Sequence, residues 1–568
     1  MSVKFCDLYT VQGENLDEKV WQEYPRPQLR RESYLNLNGK WDFAAKKGKQ
    51  FPRSYSQKIL VPFCPESLLS GIHAHYGEDQ FLFYRREVTL PEGFLKGRLL
   101  LHFGAVDQQV EVFINGRIVG KHSGGYNAFS IDITDDCAQE MVLTLRVKDD
   151  LRDKSQPYGK QKLNRGGMWY TPVSGVWQTV WMECVPETHI RALKMDVTLE
   201  QATITLTPAL NGTALFEGKE IPVIDGKVTL QPETAENWTP DNPKLYAFSL
   251  RCAEDTVHSY FALRTLETKV VKGIPRLCLN GKPYFFHGVL DQGYWPDGLY
   301  TPASEKCYAQ DILEMKKLGF NTLRKHIKVE PEAFYYACDR LGMIVFQDMV
   351  NNSKYSFFRD TLLPTIGIQQ KNDVHSHNKL ASRKAFYACM DATVAQLQNH
   401  PSICYWTIFN EGWGQFCADA AYERLKSADS SRFIDTTSGW FRGANTDVES
   451  LHIYFGSFNK LQPGDKPLVL SECGGYCYGE EGHLFCPQKS YGYRNCKDLD
   501  RFRSDLESLY RDKVLPAAQR GLCACILTQL SDVEEEINGL LTYDRKVCKA
   551  DLQNMLHLAA QLRKTVEE

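Results

Sequence analysis

The chain has 568 residues, which at roughly 150 residues per domain predicts three or four domains. Hydrophobic residues make up 43% of the chain, charged residues 24% and aromatic residues 12%, so it can bury a large core and is not intrinsically disordered. Its 67 Lys and Arg residues nearly balance its 70 Asp and Glu residues, for a formal net charge of −3. Proteins that bind nucleic acid or anionic membranes need a basic excess, so both classes of partner are excluded.

Neither a membrane span nor a secretion signal is expected. No apolar run reaches the about 18 residues that cross a bilayer, and residues 1–7 lack the apolar stretch of a signal peptide. The 18 cysteines are scattered and many lie in apolar runs, as free thiols do in a reducing compartment. We therefore predict a cytoplasmic protein without a cofactor. Zinc-ligand spacing is absent around His483, so no metal is predicted for its neighbours Cys473, Cys477, Cys486 and Cys496.

The first long segment of the chain has a sequence pattern typical of β-structure. From about residue 34 to residue 183, short apolar or β-branched runs alternate with turn signals. Residues 110–119 indicate a hairpin, because Asn115-Gly116 readily takes the two positive φ angles of a type I′ turn. This block predicts a jelly roll within a domain of residues 1–186. A second β-rich block, 188–268, predicts an immunoglobulin-like β-sandwich over residues 187–270.

Beyond residue 277, apolar runs of strand length alternate with helical patterns, which indicates a parallel sheet with crossover helices. Eight such strands predict a (β/α)₈ TIM barrel over residues 271–568. The strands are expected at 284–290, 320–326, 343–348, 403–410, 433–437, 450–455, 467–472 and 523–529. Helices are expected at 304–318, 331–341, 382–398 and 499–515.

The stretch from residue 350 to residue 381 is too long for an ordinary connection between a strand and a helix. Long insertions in barrels commonly pass over the mouth and contribute substrate contacts. We expect this role for the 350–381 insertion.

Two carboxylates follow apolar strands in the same way. The run 402–409 ends in Asn410-Glu411, and the run 466–470 ends in Ser471-Glu472. Carboxyl ends of barrel strands point into the active-site mouth, and these two are the fourth and seventh strands, so we expect the side chains to meet there. A pair about 5–5.5 Å apart supports retaining glycoside hydrolysis, with one acid/base and one nucleophile. Asn410 can donate its amide to the sugar 2-hydroxyl. The alternative is that each Glu only caps the helix that follows.

Several motifs make the sequence similar to glycoside hydrolase family 2, the family of β-galactosidases, β-glucuronidases and β-mannosidases. The segment 399–411 resembles the acid/base signature of that family, and Leu470-Ser-Glu472 resembles its nucleophile strand. The resemblance therefore implies Glu411 as acid/base and Glu472 as nucleophile. The resemblance extends to the sugar-binding jelly roll of the family, in residues 36–43, 61–67, 83–86 and 112–126, and to the turn that leads out of that domain, in residues 174–177.

The same resemblance implies roles for residues around the carboxylate pair. Arg324 matches an arginine of the family and is expected to hold the nucleophile ionised by a charge-assisted hydrogen bond. Tyr454 resembles a tyrosine that bonds the nucleophile. His452, Asp291 and Trp413 are candidate sugar contacts, with Trp413 expected to stack on a sugar at the mouth.

The sequence departs from the family where the sugar is selected. Bacterial β-glucuronidases carry an Asn-x-Lys that grips the sugar carboxylate, and this chain resembles them there but has Glu536 and Asn538 instead. Because Glu536 would repel a uronate, we expect a neutral hexoside and name β-galactosidase as the first choice. β-Glucuronidase with another cation, Lys325 or Lys328, is the first alternative, and β-mannosidase and furanoside-cleaving activities stay open.

Two alternative functions belong to other classes of protein. The chain could be a catalytically inactive carbohydrate-binding protein on a barrel scaffold, which turnover of nitrophenyl glycosides would exclude. A metal-dependent hydrolase that uses His375 and His377 is a third alternative, which activity in chelator would exclude; both histidines fall in the insertion and not at a strand end. The expected partner is a carbohydrate substrate, in a protein that could form homo-oligomers.

Overall fold

The computed structural model describes residues 5–363, 373–374, 379–439 and 445–567. The first domain packs two antiparallel sheets face to face around Trp41, Tyr84 and Phe103. Its smaller sheet contains Leu35–Asn36, Val180–Val185, Arg98–Phe103 and Phe129–Asp132. Its larger sheet contains Gln57–Val61, Gly39–Lys47, Gln80–Thr89, Glu140–Lys148, Gln109–Ile114 and Arg117–Ser123.

The predicted hairpin is confirmed. Strands Gln109–Ile114 and Arg117–Ser123 pair antiparallel, and the two residues between them, Asn115 and Gly116, have φ angles of 49° and 82°. These are the two left-handed residues that a type I′ turn requires. Short ribbons, Val106–Asp107 with Gly175–Val176, and a 3₁₀ turn, Thr134–Asp136, complete the domain.

The second domain is the predicted small β-sandwich. Its side chains alternate between buried and exposed along each strand, as in Tyr246–Cys252, which places apolar residues between two sheets. One sheet contains Ala192–Val197, Ala202–Thr207 and Lys227–Leu230. The other contains Lys219–Val223, Gly212–Phe216, Tyr246–Cys252 and Asp255–Phe261.

Eight parallel strands form the barrel. Seven of them are buried at every residue, as expected for parallel strands covered on both faces, and the sixth is mostly half-buried. In chain order they are Phe286–Asp291, Thr322–Lys325, Ile344–Asp348, Ile403–Asn410, Phe433–Ser438, Glu449–Ile453, Leu468–Gly474 and Leu522–Thr528. The ladder runs from the fifth strand through the first and the eighth to the sixth, and the fifth and sixth strands are adjacent. The TIM barrel and both predicted β-domains are therefore confirmed.

A three-stranded sheet, Leu266–Val271, Ile274–Leu279 and Lys282–Pro283, leads into the barrel and packs Leu277 and Leu279 against its lower core. The four predicted helices begin and end close to the predicted positions, with the fourth interrupted at Tyr510–Val514, and further helices are present that were not predicted. The helices are Val11–Glu14, Glu305–Lys317, Glu332–Leu341, Leu380–Leu397, Ala418–Ala428, Leu499–Leu509, Leu515–Arg520 and Leu552–Glu567, with short turns at Phe358–Leu362, Phe458–Lys460 and Tyr510–Val514 and a ribbon of Tyr476–Cys477 with Arg494–Asn495. None of the helices in these ranges combines the length and apolar character needed to cross a membrane.

Candidate active site

The two predicted carboxylates lie together at the carboxyl ends of the barrel strands. Glu411 directly follows the fourth strand and Glu472 lies in the seventh. One carboxylate oxygen of each lies within 4.8 Å of the other. This spacing is close to the about 5–5.5 Å of retaining glycosidases and too short for the inverting geometry of about 6.5–9.5 Å. The side chain of Glu411 is 17% exposed and that of Glu472 is 6% exposed, so solvent reaches Glu411 more easily.

His452, at the end of the sixth strand, contacts both carboxylates. Its Nδ1 lies 2.8 Å from Oε1 of Glu411, and its Nε2 lies 3.5 Å from Oε1 of Glu472. Ser438 approaches Nε2 as well, at 3.1 Å. The sequence placed His452 as a sugar contact; in the structure this imidazole links the two acids.

Both oxygens of Glu472 receive strong donors. Arg324 Nη1 donates to Oε1 at 3.0 Å, and the Tyr454 hydroxyl donates to Oε2. Burial raises the pKa of Glu472, but the charges of His452, Arg324 and His326 and the hydrogen bond from Tyr454 outweigh it and bring the pKa to about 2. The carboxylate is therefore ionised at neutral pH, as a nucleophile must be.

Arg324 is fixed on three sides. Its Nε donates to Oδ1 of Asp348 at 3.0 Å, its Nη2 donates to Oδ1 of Asn410 at 2.8 Å, and its Nη1 also reaches the Ser471 carbonyl at 3.0 Å. Since these acceptors occupy the guanidinium, its direction towards Glu472 is set before any substrate arrives. The carbonyl oxygen of Asn410 faces Arg324, which leaves the amide NH₂ as the group that can donate to a sugar hydroxyl.

The backbone holds Glu411 in an unfavourable conformation. Its φ angle is 51°, in the left-handed region that costs a non-glycine residue of order 1–3 kcal/mol. The Glu411 N–H donates to the Ser438 carbonyl at 2.7 Å, and the Trp413 N–H donates to the Asn410 carbonyl at 2.9 Å. These bonds turn the chain sharply after the fourth strand and aim the carboxylate at His452.

Trp413 is 3% exposed and packs edge-on against aromatic side chains instead of standing open at the mouth. Its ring centroid is 5.4 Å from that of Tyr158 and 5.2 Å from that of Trp169, both from the first domain, and 6.1 Å from that of Tyr355. The first domain therefore forms part of the site, and stacking of Trp413 on a sugar stays a prediction.

Asp291 belongs to a buried charge cluster. Its Oδ2 accepts from Lys325 at 2.6 Å, and Lys325 also pairs with Glu330 at 2.9 Å. Lys328 pairs with the same Glu330 at 2.8 Å and donates to two carbonyls, those of Gly293 and Tyr300. Both lysines are 1% exposed. Their donors are engaged inside the protein, which argues against either as the ligand of a sugar carboxylate, and Asp291 as a sugar contact stays a prediction.

The loop after the eighth strand supplies Glu536, which is 3% exposed. Its Oε2 accepts from the Tyr170 hydroxyl of the first domain, and its Oε1 accepts from the Asn538 amide at 3.1 Å. Burial raises the pKa of Glu536, and the charge of Glu472 raises it as well. The two residues that replace the Asn-x-Lys pattern thus bond each other.

Several residues of the site were missed by sequence reasoning. Asp348 orients Arg324 and also pairs with His326 Nδ1 at 2.7 Å. Tyr493 stacks on Tyr454 with ring centroids 3.9 Å apart. Asp348 ends the third strand, so the strand-end rule could have found it. Tyr493 lies in an irregular connection and gives no such signal.

The atoms of Glu411, His452 and Glu472 are close enough together to hold a metal ion, all within 4.8 Å. Arg324 and Tyr454 already saturate Glu472 with donors, which suits a free carboxylate better than a metal ligand. In the described part of the chain the cysteines near His483 form no comparable group, and His483 pairs with Asp544 at 2.7 Å. His375 and His377 and most of the second half of the 350–381 insertion lie outside the described residues.

This geometry places an ionised carboxylate, a second and more exposed carboxylate, and an amide donor around one point. That is the set needed to form and then hydrolyse a covalent glycosyl intermediate.

Two models of one family match the chain. The model described as "Glycosyl hydrolases family 2, TIM barrel domain" matches residues 270–471, and the one described as "Glycosyl hydrolases family 2, sugar binding domain" matches residues 75–180. These matches cover much of the first domain and the first six barrel strands. The barrel match includes Glu411 and ends at Ser471, one residue before Glu472.

Curated relatives are distant. The β-galactosidase of Thermoanaerobacter pseudethanolicus is 26% identical over 49% of this chain and 41% of its own length. A putative β-glucuronidase of Formosa agariphila is 22% identical over 69% of this chain and 48% of its own length. The chain thus spans about half the length of these two. The β-glucuronidase of Homo sapiens is 23% identical over 77% of this chain and 74% of its own length.

Solved structures share the fold. A β-glucuronidase from an uncultured Clostridium sp. superposes with a TM-score of 0.71 at 16% identity and covers 94% of this chain and 99% of its own. A β-galacturonidase from Eisenbergiella tayi, bound to galacturonate, superposes with a TM-score of 0.67 at 17% identity and covers 95% of this chain and 99% of its own. At these identities the likeness shows the architecture of all three domains.

Proposed function

Since the chain belongs to glycoside hydrolase family 2, we propose that it is a retaining, exo-acting β-glycosidase that releases terminal β-linked sugars by double displacement. The observation that carries the proposal is the approach of the Glu411 and Glu472 carboxylates to within 4.8 Å. The relatives named β-galactosidase and β-glucuronidase support a β-linked sugar as substrate.

In the first step, Glu472 attacks the anomeric carbon while Glu411 gives a proton to the leaving oxygen. The glycosidic bond breaks, the aglycone leaves as an alcohol, and an ester joins the sugar to Glu472. Arg324 and Tyr454 hold Glu472 ionised and in place before the attack. The Asn410 amide is directed to the 2-hydroxyl, where its hydrogen bond strengthens in the transition state.

In the second step, Glu411 takes a proton from water as the water oxygen attacks the anomeric carbon. The ester bond breaks, Glu472 leaves as a carboxylate, and the sugar departs with its original configuration. His452 Nδ1 lies 2.8 Å from Oε1 of Glu411, the carboxyl group that gives a proton in the first step and takes one in the second.

Two observations bear on which terminal sugar the site prefers. Glu536 is buried, and its carboxylate can accept a hydrogen bond from a hydroxyl of a neutral sugar. This supports a β-galactoside, the first choice from the sequence. Lys160 of the first domain, buried close by, favours a sugar with a negative charge, and this supports a β-glucuronide. A screen of aryl β-galactoside, β-glucuronide, β-glucoside and β-mannoside separates these specificities.

The mechanism is tested by NMR on whichever glycoside is cleaved. We expect the first product to keep the β configuration before it mutarotates, because two inversions give net retention. An α-configured first product would exclude the double displacement. Binding of sugars without hydrolysis of any member of the screen would instead favour an inactive carbohydrate-binding scaffold.

A further inference from the structure

Lys160 is a buried lysine whose ammonium has no ion-pair partner among the described residues. The residue is 9% exposed. Among the described residues its ammonium makes neither an ion pair nor a hydrogen bond, and its nearest ring contact is Trp169, with Nζ 5.8 Å from the centroid. Buried lysines are usually paired with an acid. A group from outside the protein is the natural partner.

The fold places Lys160 in the wall of the active site. The preceding residue, Gly159, fits so closely against the loop after the second strand that a Cβ there would lie 3.1 Å from the Ile327 carbonyl. On the other side, the Lys160 carbonyl accepts from the Tyr170 N–H at 3.0 Å, and the Tyr170 hydroxyl bonds Glu536. Lys160 therefore lies between the end of the second strand and the loop that carries Glu536.

The charge of Lys160 reaches the groups around the nucleophile. Burial raises the pKa of Glu536, and the Tyr170 hydrogen bond and the Lys160 ammonium oppose that rise. Burial lowers the pKa of His326, and the Lys160 ammonium lowers it further. The charge of Glu472 acts on the pKa values of both groups too, so Lys160 and the proposed nucleophile influence the same two side chains.

A second feature distinguishes Lys160 from the other lysines near the site. Lys325 and Lys328 are bound to Asp291 and Glu330 inside the barrel. Both Lys160 and Glu536 are buried, and in the described part of the chain no hydrogen bond or ion pair joins them. A ligand that offers an acceptor to the ammonium and a hydroxyl to the carboxylate would bond with both groups.

We propose that Lys160 is a specificity-determining residue whose ammonium binds a carboxylate on the terminal sugar, so that β-hexuronides are preferred to neutral β-hexosides. A hydroxyl of the same ring donates to Glu536. This assignment rests on the proposed glycosidase function and adds a residue of the first domain to the sugar-binding set. A carboxylate satisfies the buried charge better than the neutral hydroxymethyl group, because two opposite charges attract strongly where water screens them little.

The test uses pairs of aryl glycosides that differ at C6 alone: β-glucuronide with β-glucoside, and β-galacturonide with β-galactoside. The measured quantity is the ratio of kcat/KM for the acid to kcat/KM for the neutral sugar. In Lys160→Met we expect this ratio to fall about 30-fold or more, as for loss of a charged hydrogen bond of about 2 kcal/mol. Lys160→Arg should restore part of the ratio, since it keeps the charge.

Lys162→Met is the matched control. Lys162 lies over the same Trp169 ring, with Nζ 5.4 Å from the centroid, but its side chain is exposed. Its substitution should leave the ratio within about threefold of wild type, because exposed charges contribute little. Circular dichroism and Tm confirm that each variant is folded.

The outcomes separate the two proposals. Hydrolysis of the neutral members alone by the wild type, or an unchanged ratio in Lys160→Met, overturns the role of Lys160 and leaves the glycosidase standing. Without hydrolysis of any member the glycosidase fails, and calorimetry then decides on Lys160. Glucuronate or galacturonate must bind the wild type and bind Lys160→Met at least tenfold more weakly, whereas equal binding overturns the inference.

Discussion

Arg324 and Glu472 form a buried ion pair, with Nη1 and Oε1 3.0 Å apart and each residue at most 4% exposed. An isolated ion pair at this depth is weak evidence for stability, because desolvation offsets the attraction. Its effect on chemistry is clearer. The arginine is held by Asp348 and Asn410, so it cannot follow the carboxylate when Glu472 leaves it to attack the sugar. We infer that the pair positions the nucleophile more than it stabilises the fold.

Replacement of Glu472, the proposed nucleophile, gives the first prediction. Glu472→Gly should reduce hydrolysis by at least about 10⁴-fold, since no group remains to form the glycosyl ester. Azide or formate should restore part of the rate by entering the vacated space and attacking the anomeric carbon, with a glycosyl azide or formate as the product to detect. Substantial activity without added anion would show that Glu472 is not the nucleophile.

The loss of rate on replacing Glu411, the proposed acid/base, should depend on the leaving group. In Glu411→Ala, aryl glycosides with good leaving groups should lose less rate in the first step than those with poor ones, because only the latter need a proton. We expect the difference to reach about 10²–10⁴-fold between dinitrophenyl and alkyl glycosides. The measurement is the pre-steady-state rate of aglycone release, and equal losses for all leaving groups would argue against an acid role.

Tyr454→Phe should change the pH dependence. The Tyr454 hydroxyl lowers the pKa of Glu472, which is about 2 in the intact site. Its removal disfavours the ionised form, so the pKa rises and the nucleophile protonates at a higher pH as the solution is acidified. The acidic limb of kcat/KM should therefore move up by about one pH unit, since one unit is about 1.4 kcal/mol.

The phenylalanine keeps the ring that stacks on Tyr493, so the change is confined to the hydroxyl. An acidic limb at the same pH in both proteins would mean that Tyr454 does not set the charge of Glu472.

Lys325→Met tests the buried charge cluster. The substitution leaves Asp291 and Glu330 without one of their cations, and we expect destabilisation of about 3–5 kcal/mol, as when one partner of a buried pair is removed. Urea unfolding followed by tryptophan fluorescence measures it. Lys317→Met is the control, because Lys317 pairs with Glu314 at the surface and should cost no more than about 1 kcal/mol.

If Lys325 bound the sugar carboxylate instead, Lys325→Met would raise KM for uronides with little loss of stability. That result would restore the alternative in which this lysine selects a glucuronide.

Gly159→Ala tests how the first domain closes the site. The new Cβ would lie 2.6 Å from the Tyr126 hydroxyl and 3.1 Å from the Ile327 carbonyl, at a φ of 60°. We expect lower Tm and a lower kcat/KM, since the loop that carries Lys160 must move away from the barrel. Gly116→Ala, at a φ of 82° with no atom within 4 Å, is the control for backbone strain alone, worth about 1 kcal/mol. Equal effects of the two substitutions would show that the contact with Ile327 is unimportant.

Local chemistry accounts for what the sequence predicted well. The Asn115-Gly116 turn follows from two residues that tolerate positive φ, and the barrel strands follow from short runs that are apolar on both faces. The meeting of Glu411 and Glu472 follows from a topological rule, because parallel strands bring their carboxyl ends to one rim.

Pairing between distant segments could not be predicted in this way. Lys325 and Lys328 are unusual residues at a strand end, and nothing in their spacing says that Asp291 and Glu330 neutralise them. Trp413 was expected to face the sugar, but its aromatic neighbours Tyr158 and Trp169 come from another domain. The environment of such side chains is fixed by tertiary packing, which one sequence does not reveal.

The contact between the first domain and the loop after the eighth strand joins residues far apart in the chain. Arg165 pairs with Glu534 at 2.8 Å across 369 positions, and Tyr170 bonds Glu536 across 366. At a synthesis rate of about 5–20 residues per second, these partners are synthesised roughly 20–70 s after the residues of the jelly roll that they contact. The two β-domains of the nascent chain are thus synthesised well before the residues that complete the proposed active site.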